Sequence, residues 1–365
     1  MAAPDKSRFI QDITIRNFKC FEELKIEGCG QFNLILGDNN VGKTSVLEAL
    51  LVEDDWDQEN IVVARLQRVR LDKYGTFPTT MVGQDEPLRG LVEVFARNAD
   101  AAAGFSIGIK RRGQDKRPPF IMQLKSLREL GESVKQVVRS LRIRGQHVIW
   151  MKHGEEHDGG FTPLSEPLYT GLNLPFLSLK ALYGPDLIEV YSQTVTPSTA
   201  AKEEFVSALA GMIPNLTEVE LTIHPLLGPA IIARLAEQDL AQPLAFFGDG
   251  SVKMARILLQ IPPAANNRLM VDEIDTGIHY SRLEVLWKAT LRAAIANNVQ
   301  LFITTHNEEC LKALAQVLET EEFAPYRAEC RAFTLRRLPD GSTKSYARDL
   351  VHSMENDYEI RGGAL

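Results

Sequence analysis

The segment GDNNVGKT, residues 37–44, brings glycines, a lysine and a hydroxyl group together at a spacing that suits the binding of phosphate. It matches the pattern G-x-x-x-x-G-K-[ST] and lies between an apolar run and an amphipathic run, as a loop between a strand and a helix would. The glycines let main-chain N–H groups turn toward an anion, and the helix N-terminus adds its positive dipole end. We therefore predict a phosphate-binding loop with contacts from Gly37, Asn39, Asn40, Gly42, Lys43, Thr44 and Ser45.

Two side chains of this loop have separate chemical roles. In such loops the ammonium of the lysine, here Lys43, reaches the β- and γ-phosphates of a nucleotide. The hydroxyl of the next residue, here Thr44, ligates Mg²⁺. The sequence thus predicts a nucleotide site that also holds Mg²⁺.

A pair of adjacent carboxylates lies far along the chain. Leu269 to Val271 read as a hydrophobic strand that ends in Asp272 and Glu273. An open α/β sheet places its ligand chemistry at the C-terminal tips of its strands. On this reading Asp272 holds Mg²⁺ through water, and Glu273 polarises the water that attacks a γ-phosphate. A helix N-terminus with acidic capping residues is the alternative interpretation.

Local patterns indicate the elements that must position these groups. Residues 10–28 alternate apolar and polar side chains as two short antiparallel strands would, so the phosphate loop follows a β-hairpin. Residues 299–306 form an apolar run that ends in two threonines and His306, and a lone histidine in such a place is usually structural. An Asp-Gly turn within residues 331–349 predicts a C-terminal hairpin.

The middle of the chain reads as an antiparallel β lobe with a helical insert. One polar helical stretch is predicted from Leu127 to Leu141, and HGEEHDGG at 153–160 reads as a hairpin tip rather than a metal site. Strand patterns occur at 90–97, 104–112, 119–124 and 147–154.

The N-terminal motifs resemble the start of the SMC, RecF and related ABC-type ATPases. Those proteins begin with an I-x-N-F-[KR] strand followed by L-x-G-x-N-x-x-G-K-[ST]. The matching residues here are Ile15, Asn17, Phe18, Lys19, Leu36, Gly37, Asn39, Gly42, Lys43 and Thr44. Later segments, among them DEIDTGIH at 272–279, resemble the standalone bacterial AAA-type ATP-binding proteins related to the ATPase part of the OLD family.

This resemblance implies an α/β fold: an ABC-type P-loop ATPase head with a mixed sheet, an antiparallel β lobe and a helical insert. The head would be discontinuous, comprising residues 1–60 and 205–365, and the lobe and insert would comprise residues 61–204. The implied chemistry is Mg²⁺-dependent hydrolysis of ATP. Gln58 and Gln84 are the candidates for the glutamine loop of these ATPases.

FFGDGSVKMARI, residues 246–257, occupies the place of the signature motif of ABC-type ATPases. In those proteins the motif of one subunit caps the γ-phosphate held by the other. The resemblance therefore implies that Gly250 and Ser251, at the start of a helix beginning near Ser251, contact phosphate across a dimer interface.

Other positions near these motifs carry further implications. Gly248 stands where the signature serine is usual, and Asp249 replaces a small residue. Lys253 either supplies the missing positive charge or is a solvent-exposed helical lysine. His306 looks like the switch histidine that contacts the γ-phosphate, and His279 stands where transporters carry aspartate.

Composition limits the class of protein. The chain of 365 residues is 44% hydrophobic and 24% charged, and it has no apolar run long enough for a membrane span and no secretory signal. We expect a cytoplasmic protein with no membrane partner. The four cysteines form no CxxC pair, which predicts reduced, mostly buried thiols. The net charge of −7 predicts weak DNA binding at most, through basic segments at 64–73, 110–117 and 139–145.

The resemblance also implies partners. ABC-type ATPases act as two-fold ATP-sandwich dimers, so we expect a homodimer or a higher even-numbered oligomer. One functional hypothesis is a sensor or regulatory ATPase in anti-phage defence that controls a separate effector, such as a Toprim-like or HNH nuclease. The alternative is a DNA-repair clamp resembling RecF that binds duplex DNA. A transporter ATPase is disfavoured because the signature serine and the aspartate loop are both absent.

Overall fold

The structure is a computed structural model, and the part of the chain that it describes has several gaps. The described residues are 5–51, 97, 105–114, 120–126, 146–152, 155–158, 176–177, 185–225 and 228–355. Gln58, Gln84, most of the strand predicted at 90–97 and the helix predicted from Leu127 to Leu141 lie outside these ranges.

The described residues form fifteen strands and seven α-helices. The strands are β1 Ile10–Phe18, β2 Phe21–Glu27, β3 Phe32–Gly37, β4 Phe105–Arg111, β5 Phe120–Ser126, β6 Gln146–Lys152, β7 Glu155–Asp158, β8 Phe176–Leu177, β9 Leu216–His224, β10 Gly228–Leu235, β11 Gln242–Pro243, β12 Arg268–Val271, β13 Gln300–Thr304, β14 Cys330–Arg337 and β15 Thr343–Arg348. The helices are α1 Lys43–Ala49, α2 Pro185–Thr194, α3 Thr199–Ala210, α4 Asp249–Gln260, α5 Leu283–Ala296, α6 Glu308–Glu319 and α7 Leu350–Glu355.

A mixed central sheet has the strand order β15-β14-β3-β13-β12-β8. All of its neighbouring strands are parallel except β15, which pairs antiparallel with β14 in the predicted C-terminal hairpin. Every residue of β3, β12 and β13 is buried, as expected for parallel strands covered on both faces. Because parallel strands end at the same edge, the loops after β3, β12 and β13 meet there.

A second sheet is antiparallel and has the order β2-β1-β4-β5-β6-β7. It joins the predicted N-terminal hairpin to the predicted strands of the middle segment. The segment 153–160 was predicted as a hairpin tip, but Glu155–Asp158 is itself a strand that pairs with β6. A third, smaller sheet has the order β11-β10-β9.

The central sheet separates two hydrophobic cores. Alternate residues of its strands point to opposite faces, as the two-residue period of a strand requires. Leu34, Leu269 and Leu301 face the helical core with α2 to α6, whereas Met270 and Phe302 face the core shared with α1 and the antiparallel sheet. The molecule is thus layered as helices, central sheet, and antiparallel sheet with α1.

Helix α4 lies inside the helical layer rather than on the surface. Each of its residues from Ser251 to Gln260 is buried, including the charged Lys253 and Arg256. It packs against α2, α3 and α5. A helix covered on all sides must satisfy its charged side chains inside the protein, which makes their partners informative.

Two sequence expectations about the whole molecule can be compared with the structure. Cys29, Cys310 and Cys330 are buried, Cys20 is half-buried, and all four thiols are free, as predicted. None of the helices in the described ranges has the length and apolar character that a bilayer crossing requires.

An ion-pair cluster centred on Glu329 joins the two large sheets. Glu329 directly precedes β14, and its carboxylate accepts two hydrogen bonds, 3.1 and 2.7 Å long, from Arg112 just after β4. It also accepts from Lys6 Nζ at 3.1 Å and from the main-chain N–H of Gln31 at 3.0 Å. The Arg112 guanidinium, helped by Lys6, lowers the pKa of Glu329 to about 2.

The stability of this cluster depends on pH. Because the folded-state pKa of Glu329 lies below its ordinary value of 4.5, its contribution is complete above that value and disappears as the pH falls toward about 2. We expect Glu329→Gln to lower the free energy of unfolding by about 1 kcal/mol near neutral pH, since the carboxylate is only part-buried. The loss should shrink as the pH falls toward about 3, measured by denaturant unfolding.

Glu322→Gln is the matched control. Glu322 pairs with Arg292 through two hydrogen bonds of 2.6 Å, but both side chains are about half exposed, 47% and 59%. We expect it to change stability by less than about 0.5 kcal/mol. Equal effects of the two substitutions at every pH would contradict a special role for Glu329.

Candidate functional site

The phosphate loop connects β3 to α1 through several residues with positive φ. Gly37, Asn40 and Gly42 have φ values of 136°, 63° and 108°. A Cβ at Gly42 would lie 2.5 Å from both Cys20 Sγ and Phe21 Cζ, so only glycine fits there. Residues 38–40 are exposed, and Ser45 is half-buried in α1. The N-terminal hairpin thus packs directly on the loop and fixes its shape.

Lys43 is folded back over this loop. Its ammonium donates to the main-chain oxygens of Gly37 at 2.8 Å and of Asp38 at 2.9 Å. Burial lowers the pKa of Lys43, and the nearby carboxylates of Glu273, Asp272 and Asp38 oppose that change. The ammonium therefore already lies at the loop, where phosphate oxygens could replace two carbonyl acceptors.

Asp272 contacts residues that follow two other strands of the sheet. Its carboxylate accepts from Thr44 Oγ1 at 3.0 and 3.2 Å, and from Thr304 Oγ1 at 2.7 Å. Thr44 and Asp272 are 228 positions apart in the sequence. The parallel sheet therefore brings together the two residues that the sequence predicts as Mg²⁺ ligands.

The oxygen atoms at this point suit Mg²⁺. A threonine hydroxyl and a carboxylate converge, and hard oxygen ligands of this kind are those that Mg²⁺ prefers. Among the described residues no group of three or more His, Cys, Asp or Glu side chains could hold a metal ion. This small donor set fits Mg²⁺, which usually combines one or two protein ligands with phosphate oxygens and water.

Glu273 has an unusual main-chain conformation for a residue with a side chain. Its φ is 46°, in the left-handed region, which costs of order 1–3 kcal/mol and is found most often at functional sites. Its N–H donates to Thr304 Oγ1 at 2.8 Å, and its Oε2 accepts from Thr276 Oγ1 at 3.2 Å. One hydrogen bond to the main-chain N–H of Glu273 and one to its side chain thus fix the direction of its carboxylate.

Thr304 contacts both acids, which sequence reasoning did not anticipate. Its hydroxyl donates to Asp272 and accepts from the N–H of Glu273, and the side chain is fully buried. The next residue, Thr305, donates to the buried Asp275 at 2.7 Å. The only available signal was the position of both threonines at the end of an apolar strand predicted to neighbour the acids.

His306 follows these threonines at the same edge of the sheet. Its side chain is exposed, and Asn307 after it caps α6 by accepting from the N–H of Glu309. The structure therefore places His306 at the end of β13, beside the strands that carry the phosphate loop and the acids. Its contact with a γ-phosphate stays a prediction.

The segment predicted to act as a signature motif forms the start of α4. The helix begins at Asp249, two residues before the predicted start, and Gly248 precedes it with φ 84°. Phe246, Gly248 and Asp249 are exposed, whereas Ser251 is buried. A helix N-terminus of this kind can bind an anion, and here the N–H groups of Ser251 and Val252 donate to the main-chain oxygen of Gly248 at 3.2 and 3.3 Å.

This first turn packs on the loop that follows the acids in the same chain. A Cβ at Gly250 would lie 2.8 Å from the main-chain oxygen of Gly277 and 3.4 Å from Cα of Ile278. A Cβ at Gly277 would lie 3.2 Å from Cβ of Asp249. Gly250 and Gly277 are therefore both required for the close approach of the two segments.

Lys253 corrects the expectation of an exposed helical lysine. Its side chain is 1% exposed, and its ammonium donates to the main-chain oxygen of Asp272 at 3.2 Å. Burial lowers the pKa of Lys253 to about 8, against the attraction of Asp272, Asp275 and Glu273. The lysine thus contacts the main chain that carries the two acids of its own chain.

The chain is similar in sequence to known proteins. A family described as AAA ATPase domain matches residues 9–76, which include the hairpin and the phosphate loop. The chain is 24% identical to an "ATP/GTP phosphatase" of Helicobacter pylori, over 97% of this chain and 100% of that protein. It is 54% identical over 41 residues to an uncharacterized protein of Methanocaldococcus jannaschii, covering 11% of this chain and 19% of that one.

A solved structure identifies the fold. An SMC head, solved bound to the C-winged helix domain of ScpA, superposes with a TM-score of 0.53 at 10% sequence identity. The match covers 95% of this chain and 99% of that chain. The fold is therefore an α/β fold like that of an SMC head, with a mixed sheet, antiparallel sheets and helices. The sequence matches and the phosphate loop support the broader class of ABC-type and AAA ATPases.

The double role of Thr304 can be tested by removing its hydroxyl. We expect Thr304→Val to lower the free energy of unfolding by about 1–3 kcal/mol, because the part-buried main-chain N–H of Glu273 and the buried carboxylate of Asp272 each lose a partner. Thr304→Ser keeps the hydroxyl and should cost clearly less than the valine substitution. Denaturant unfolding of both variants measures this, and a valine variant as stable as the wild type would contradict the role.

Proposed function

We propose that the protein binds ATP with Mg²⁺ and hydrolyses it to ADP and phosphate. The observation that carries this proposal is the meeting of Thr44, Asp272 and Glu273 at one edge of a parallel sheet, beside a phosphate loop. The similarity to a protein named as an ATP/GTP phosphatase along almost the whole chain supports the same reaction.

The phosphate loop and the lysine bind the triphosphate. Main-chain N–H groups from Asn39 to Ser45 and the N-terminus of α1 face the β-phosphate, and Lys43 contacts the β- and γ-phosphates. Thr44 and Asp272 would hold Mg²⁺, which neutralises charge on the β- and γ-phosphates when bound. Asp272 acts through water, since its carboxylate already accepts from Thr44 and Thr304.

Glu273 acts as the general base. It takes a proton from the water whose oxygen attacks the γ-phosphorus, and the bond from that phosphorus to the bridging oxygen of ADP breaks. The Thr276 hydroxyl holds Oε2 of Glu273, which leaves Oε1 for the water. His306, at the end of the neighbouring strand, contacts the γ-phosphate.

Substitution of Glu273 tests the chemistry. We expect Glu273→Gln to retain ATP binding while the hydrolysis rate falls about 10²- to 10⁴-fold, because the amide cannot accept the proton. Lys43→Ala should also lose nucleotide affinity. The exposed Glu284→Gln is the control and should hydrolyse normally. Binding is measured by titration and turnover by phosphate release, and normal turnover in Glu273→Gln would remove Glu273 from this role.

We further propose that two copies of the chain share their sites. Asp249 at the start of α4 is exposed, and the nearby aromatic side chains of Phe246 and Tyr280 are 71% and 64% exposed. Gly250 and Ser251 would then approach the γ-phosphate held by a second copy, and the N–H of Ser251 would exchange its 3.2 Å hydrogen bond to the main-chain oxygen of Gly248 for one to that phosphate. The exposed aromatic rings would lose their contact with water in that homodimer or higher even-numbered oligomer.

Mixed oligomers test the sharing of sites. Phe246→Glu is preferable to a substitution at Gly250, because a Cβ at Gly250 would displace Gly277 near the acids of the same chain. Phe246→Glu and Lys43→Ala should each be inactive alone, and a mixture should recover part of the activity because one of its two sites is intact. Ile223→Glu, at a position 81% exposed on β9, is the control that should stay active. Full activity of Phe246→Glu alone would exclude sharing through this face.

The cellular role we propose is regulatory. The motif at residues 272–279 supports an OLD-related protein that controls a separate effector, such as a Toprim-like or HNH nuclease, in anti-phage defence. The net charge of −7 supports control of a protein effector over extensive DNA contact by this chain.

A further inference from the structure

The peptide group between Asp272 and Glu273 is held at both of its polar atoms. Its carbonyl oxygen, which belongs to Asp272, accepts from the ammonium of Lys253 at 3.2 Å. Its N–H, which belongs to Glu273, donates to Thr304 Oγ1 at 2.8 Å. Two side chains from different elements therefore fix the orientation of one peptide plane.

The orientation of this plane decides where Glu273 points. Glu273 has φ 46°, so its main chain is in a region that a residue with a Cβ leaves unless its surroundings hold it. Rotation of the preceding peptide plane would change that φ and swing the carboxylate away. The two hydrogen bonds to the plane thus stabilise the unfavourable conformation that aims the general base.

The side chain of Lys253 is buried inside the helical layer, where its ammonium makes this contact. It is 1% exposed, on a helix whose residues from Ser251 onward are all buried. A buried ammonium is costly unless it is hydrogen-bonded and near opposite charge, and here the carboxylates of Asp272, Glu273 and Asp275 supply that charge. An apolar residue would fill the same space at lower cost, so the charge and the donor call for a functional explanation.

We propose that Lys253 is a positioning residue for Glu273 of its own subunit, and that it does not contact the phosphate of a partner's nucleotide. The inference rests on the proposed function, because it assigns Glu273 the role of general base. It also separates two neighbouring turns of α4: the exposed Asp249 lies on the side proposed to face a second copy, whereas the buried Lys253 one turn later serves the acids of its own chain.

Kinetics of single variants test the positioning role. We expect Lys253→Met, which keeps the length of the side chain, to lower kcat about 10- to 100-fold, since a hydrogen bond from a charged donor is lost. The ATP dissociation constant should change less than about twofold, because the ammonium of Lys253 donates to the main-chain oxygen of Asp272 and is assigned no part in binding the triphosphate. Lys253→Arg, and Lys253→Gln if arginine does not fit, keep a donor and should recover most of kcat.

Other results from these variants would overturn the proposal. Wild-type kcat in Lys253→Met would show that the lysine does not aim the base. Parallel losses of ATP affinity and kcat, with no recovery by arginine or glutamine, would indicate a merely structural role. Melting temperatures of all the variants show whether a loss of kcat follows a loss of folding.

Mixed dimers identify which subunit's chemistry Lys253 serves. In a dimer of Phe246→Glu with Lys43→Ala, purified through two different affinity tags, the working site uses the phosphate loop and acids of the Phe246→Glu chain. We expect Lys253→Met to abolish the recovered activity when placed in that chain and to leave it nearly unchanged in the Lys43→Ala chain. The reverse result, or equal losses in both chains, would overturn the proposal.

Failure of the proposed function gives a different pattern. If Glu273→Gln hydrolyses ATP normally, the assignment of the base is wrong whatever Lys253 does. If the mixture without any change at Lys253 recovers no activity, the sites are not shared, and the kcat and affinity measurements on Lys253→Met then decide the positioning role.

Discussion

The carboxylate of Asp272 connects the ends of three parallel strands. It lies at the end of β12, accepts from Thr304 at the end of β13, and accepts from Thr44 just after the phosphate loop that follows β3. A carboxylate with 6% exposure must be hydrogen-bonded to remain charged, and these hydroxyls supply the bonds. The shape of the site therefore depends on this one acceptor, because one donor is at the start of α1 and the other at the end of β13, and a shift of either would cost the carboxylate a hydrogen bond.

The strained conformation of Glu273 shows how the rest of the structure contributes to the site. A left-handed glutamate is unfavourable in isolation, yet Thr304, Lys253 and Thr276 each hold one polar atom of the Asp272–Glu273 unit. These partners come from β13, α4 and the loop after the acids. The packing of the helical core thus offsets the cost of holding Glu273 in a conformation that suits the proposed chemistry and does not itself add stability.

The sequence was sufficient for features that depend on short-range patterns. The alternation of apolar and polar residues predicted the N-terminal hairpin, and an Asp-Gly turn predicted the C-terminal hairpin. Apolar runs predicted β3, β12 and β13, and the phosphate-loop motif predicted α1. The contacts of Thr304 and Lys253 could not be predicted, since they depend on the order of strands in the sheet and on the burial of α4. Helical spacing alone places a lysine on a polar face, and it does not reveal that the polar face is covered by another layer. Domain boundaries and the roles of the site residues stay predictions.

The order of strands also has a consequence for how the protein acquires its site during synthesis. Strand β3 is flanked by β13 and β14, so its hydrogen-bonding partners begin at Gln300 and Cys330. A ribosome therefore completes the phosphate-binding strand early, yet both edges of that strand stay unpaired until most of the chain has been translated. Contacts between such distant segments fold slowly, and exposed apolar strands favour aggregation in the meantime. The nascent chain should accordingly depend on chaperones, and the loop after β3 can take its final shape only once β13 and β14 have been translated.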